Sequence, residues 1–82
     1  MTQKHDQIAI AEKLFSQAFD KPRDPRSCEY KAGVRAALRF RLAGEKIPHL
    51  YKPGTAQDDA YHAGISEGYM IFRNFEGDAK NG

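Results

Sequence analysis

The chain has no tryptophan, one cysteine, and no apolar run near the roughly 18 residues that a membrane-spanning helix needs. The missing run excludes a spanning helix. The lone Cys28 excludes an internal disulfide and fits a reducing compartment. The start, Met1-Thr2-Gln3-Lys4-His5-Asp6, carries neither the apolar core nor the small-residue cleavage site of a secretory signal, so a cytoplasmic location is expected. Glycine is dispersed over positions 33, 44, 54, 64, 68, 77 and 82 and nowhere forms a strand-to-helix phosphate loop. Cys28, His49 and His62 lack the closely spaced pairs of a zinc site, and nothing in the spacing sets Cys28 beside a histidine as nucleophile and base. No catalytic residue, metal or cofactor is therefore expected, and the chain reads as non-enzymatic. A net charge of only +2 also excludes a strongly acidic mimic of nucleic acid.

What is present fits one small domain, 1–82. The 9.2 kDa chain is 40% hydrophobic with a mean hydropathy of -0.73, the balance of a protein that buries one face of each element. Charge is unevenly distributed. From Arg23 to Lys46 there are seven basic residues against three acidic ones, whereas from Thr55 to Gly82 there are two against five. Such a division pulls the two halves together and leaves a remainder to steer a charged partner.

One pentapeptide occurs twice. Tyr30-Lys31-Ala32-Gly33-Val34 returns as Tyr61-His62-Ala63-Gly64-Ile65, and each copy opens a helical pattern with small residues four apart. Gly33 and Ala37 share one face of the first helix, and Gly64 and Gly68 share one face of the second. A glycine inside a helix costs about 1 kcal/mol relative to alanine, so these positions imply packing that demands their smallness. The pattern predicts an all-α fold with a hairpin of two long antiparallel helices, about 25–43 and 56–75. A shorter amphipathic helix, about 4–19, packs on it through Ile8, Ala11, Phe15, Ala18 and Phe19. Residues 1–22 then form the N-terminal helix and linker, 23–76 the hairpin, and 77–82 a flexible tail beyond Gly77.

Local signals set the helix ends. Asp24-Pro25 and Ser27 both offer a start for the second helix, and Gly44 stands just past its end. The connection from Gly44 to Gly54 is long for a helix pair, with Ile47, Leu50 and Tyr51 to pack it down. Lys52-Pro53-Gly54-Thr55 suits a type II turn, and Thr55 with Asp58 approximates a capping box, which accounts for Asp58 and Asp59 better than paired catalytic carboxylates do.

Opposite the apolar face of the second helix, Lys31, Arg35 and Arg39 stand in one row four apart. Like charges so placed disfavour an isolated helix by a few tenths of a kcal/mol per pair. A solvated face and an anion-binding stripe are both open. With Arg26, Lys46 and Lys52 the row would neutralise phosphates, and Tyr51 would stack on an exposed base. Phe40, Tyr69 and Met70 fall toward the outer side and offer a patch for a target protein or a second subunit. Arg41 lies nearer the inward face, its stem placed to cover apolar surface.

The order Tyr30-x-x-Gly33-x-x-Ala36-Ala37, a polar connection, Leu50-Tyr51-x-Pro53-Gly54-Thr55 and Asp59-Ala60-Tyr61-x-x-Gly64 resembles the ribosome modulation factor-like group of small bacterial and phage proteins. The resemblance spans roughly residues 30–68. It departs at His49-Leu50-Tyr51, where that group has Asn-Pro-Tyr, and at Tyr61, where it has tryptophan. The resemblance implies a small helical hairpin and, as partner, RNA of the ribosome's small subunit, with translation silenced. It transfers no binding residue, because the matched positions are those that build the helices. Two functions are thus expected from the sequence: an RNA- or ribosome-binding accessory protein, or a phage- or prophage-encoded inhibitor or adaptor that binds a bacterial protein, with no membrane partner and with a homodimer possible.

Overall fold

The computed structural model describes residues 4–19 and 26–81, with side chains described for 6–19 and 26–77. It contains three helices, α1 (Lys4–Ala18), α2 (Cys28–Ala43) and α3 (Ala56–Asn81), and no strand among the described residues. The expected connector at Asp20–Pro25 lies outside those residues. Of the two possible starts for α2 the chain uses the later one. Ser27, in an extended conformation, accepts a hydrogen bond on its hydroxyl from the Tyr30 N–H at 3.1 Å, so the helix begins at Cys28 rather than near residue 25. Gly44 closes the helix in the left-handed conformation at φ 74°.

α2 and α3 run in the same direction, which corrects the expected antiparallel hairpin. A Cβ built on Gly33 would meet the Tyr61 carbonyl oxygen, and one built on Gly64 would meet the Tyr30 carbonyl oxygen. Gly68 lies against Val34 and Ala37, and the Arg41 guanidinium lies over Tyr69 and Phe72. Contacts therefore advance together along both helices, at an offset close to that between the two pentapeptides. Each glycine receives the backbone of the other copy, the close approach that small residues permit and that brings Cα–H groups to facing carbonyls.

The connection makes this topology possible. Sixteen residues of α2 rise roughly 24 Å, while the segment 44–55 reaches about 40 Å when extended. It turns back at Gly44, runs down the side of α2 with Glu45 beside Arg39, and delivers the chain to the starting end. Pro48 is held on the way by the Tyr61 hydroxyl, which donates to its carbonyl at 2.7 Å. The turn Lys52–Thr55 closes with Gly54 at φ 84° and the Thr55 N–H on the Lys52 carbonyl at 3.3 Å. Thr55 then caps α3 by accepting from the Asp58 N–H at 3.1 Å. The capping box is only half formed, because the Asp58 carboxylate turns to His62 at 3.4 Å.

α1 packs antiparallel to α2, with Phe19 against Tyr30 and Phe15 against Arg35. Ala11 is its buried contact with the core, which joins Val34, Leu38 and Phe72 from the other two helices. α3 continues through Gly77 to Asn81, so the expected flexible tail does not begin at Gly77. Positive φ occurs only at Gly44 and Gly54 among the described glycines. A glycine lowers helix stability by about 1 kcal/mol but ends a helix only where the backbone turns left-handed.

Candidate nucleic-acid interface

Flanking elements lie along both sides of the basic row of α2. Toward α1, the Arg35 guanidinium lies 4.3 Å from the Phe15 ring centroid, and its Nε is 3.2 Å from Glu12 Oε2. Lys31 is half-buried, with its ammonium 5.6 Å from the Phe19 centroid. Toward the return segment, Arg39 Nε sits 3.0 Å from Glu45 Oε1. Arg26 stacks 4.4 Å over the Tyr30 ring. These partners relieve the like-charge repulsion that the row carries on an isolated helix. Each pair is partly exposed and contributes at most about 1 kcal/mol after screening.

Between α2 and the return segment lies an open groove of about 330 Å³, with Ala32 and Ala36 as its floor. Arg35 and Arg39 line it from the helix, and Lys46 and Leu50, the latter 53% exposed, line it from the segment. Glu45 is the one carboxylate among the lining residues. The two alanines open the groove because a larger side chain at either position would fill it. Lys52 is exposed further along the same segment.

Tyr51 is half-buried and meets Tyr61 edge to face at 5.4 Å. Burial first, and Tyr51 second, hold the Tyr61 phenol above its ordinary value of 10.0, and its hydroxyl donates to the Pro48 carbonyl. The tyrosine pair thus anchors the segment that carries Lys46 and Lys52. Phe40 is 40% exposed and Met70 55% exposed, while Tyr69 is half-buried beneath Arg41. Neighbouring helical positions are about 100° apart, so Tyr69 and Met70 point to different sides of α3.

Two partners had no local signal in the sequence. Glu12 is far from Arg35 along the chain, and Glu45 reaches Arg39 only because Gly44 reverses the backbone. No group of three or more His, Cys, Asp or Glu side chains suited to hold a metal occurs among the described residues. None of the described helices is long and apolar enough to cross a membrane. No family model, no curated protein and no solved structure matches the chain.

Proposed function

We propose that this chain is a small, non-enzymatic RNA-binding accessory protein, of the kind its resemblance to ribosome modulation factor-like proteins suggests, and that it acts through the groove between α2 and the return segment. The observation that carries the reading is the convergence of Arg35, Arg39 and Lys46 on one open groove with a small-residue floor. Cations gathered from two elements around a concave surface suit a phosphate backbone, whereas a merely solvated face has no reason to be concave. Arg35 and Arg39 are held by neighbouring carboxylates at half-exposed positions, so phosphate can replace the carboxylate without ordering a free side chain. The competing reading, an inhibitor or adaptor that binds a protein, draws on the exposed Phe40 and Met70 instead.

Charge reversal at Lys46 and Lys52 separates the two, because both side chains are exposed and neither belongs to the core. The double variant Lys46→Glu, Lys52→Glu is expected to fold as the parent does by circular dichroism. It should lose retention on RNA, with the slope of log affinity against log salt reduced by about 0.7–0.9 per contact removed. Unchanged RNA retention in this variant would remove the proposal's footing.

A further inference from the structure

Arg39, Phe40 and Arg41 are consecutive on α2, and at about 100° per residue they sweep round one end of the helix. Arg39 lines the groove already described. Arg41 lines a second one, about 280 Å³, with Tyr69, Phe72, Arg73 and Glu76. Phe40 falls between Arg39 and Arg41 in helical phase, lies outside the lining of either groove, and keeps 40% of its surface exposed. In the second groove the Arg41 guanidinium lies 5.1 Å from the Phe72 centroid and 5.8 Å from that of Tyr69. A guanidinium stacked in this way is fixed in orientation and keeps in-plane N–H donors for a phosphate. Arg73 is exposed on the neighbouring turn of α3, and Glu76 is the single carboxylate of that groove.

We infer that single-stranded RNA crosses this end of α2, with one base stacked on Phe40 and flanking phosphates held by Arg39 and Lys46 on one side and by Arg41 and Arg73 on the other. The inference rests on the RNA-binding reading above and narrows it. A duplex hides the faces of its bases, whereas an unpaired strand offers them to an aromatic ring between cations. Phe40 is thereby assigned to stacking rather than to a protein interface.

The test is fluorescence anisotropy of labelled oligouridylate, and of an RNA duplex of equal length, with the full chain and with F40A, F40L and R73Q at several salt concentrations. Phe40 lies outside the buried core, and F40L keeps most of its apolar bulk, so a folded variant is available. Both Phe40 substitutions should weaken oligouridylate binding roughly 5- to 150-fold, the range for one lost base stack, with the salt slope unchanged. R73Q should lower the slope by about 0.7. Wild-type affinity in the Phe40 variants, beside lost binding in Lys46→Glu, Lys52→Glu, overturns this inference and leaves the RNA reading standing. Absence of RNA binding by the unaltered chain overturns both.

Discussion

Gly33→Ala should destabilise the protein by about 3 kcal/mol or more, the upper range for overpacking, because its new methyl group meets backbone on every near side. It would fall onto the Tyr61 carbonyl oxygen and within 2.9 Å of the Ile65 nitrogen. Neither atom can rotate away, so α2 and α3 must separate and release Val34 and Tyr61 from their buried positions. Total stability for a domain of this length is about 4–12 kcal/mol, which makes the loss a large fraction of it. Gly64→Ala should behave alike, since its methyl meets the Tyr30 carbonyl group and lies 3.1 Å from the Val34 nitrogen. Gly77→Ala supplies the contrast. It also lies in α3, but nothing stands within 4 Å of its Cβ, so alanine should stabilise by up to about 1 kcal/mol. Urea denaturation of the three variants checks the opposite signs, and a shared sign at Gly33 and Gly77 would refute the close approach.

Leu38→Ala should be of comparable size, about 2–5 kcal/mol, for a different physical reason. Leu38 has no exposed surface and lies where Ala11 of α1, Val34 of α2 and Phe72 of α3 meet. Removing its isobutyl group leaves a cavity bounded by three separate helices. Relaxation into that cavity would have to move α1 or α3 against their other contacts, so partial collapse is costly. For a chain of this size the melting temperature should fall by on the order of 10 °C or more. A drop of only a degree or two would mean that α1 does not close the core in solution.

The three helices and most of their ends were legible in the sequence because they depend on local signals. Periodicity gives the apolar faces, while Ser27, Gly44, Gly54 and Thr55 act through the next few residues. The direction of α3 depends on how the connection travels, and that is not local. Its unusual length was the available clue, because a segment of that reach can return to the starting end of α2. A second correspondence extends the repeat. Phe19 meets Tyr30 edge to face, and Tyr51 meets Tyr61 in the same manner, each aromatic arriving from the segment before its helix. The cationic row was visible as residue types, but its partners Glu12 and Glu45 come from elements whose placement only the packing sets. The second groove has no local signal in the sequence, because Arg41 and Arg73 are brought together by the parallel register alone.

The shared direction of α2 and α3 is the claim on which both grooves depend, and Cys28 offers direct access to it. It is the only cysteine, it is exposed, and it begins α2. A nitroxide attached there should broaden most strongly the amide signals of the first turns of α3, from Ala56 to His62, with the effect falling along the helix to its weakest at Phe75 to Gly77. Broadening centred on the later residues, with the first turns untouched, would show the helices running in opposite directions and contradict the account.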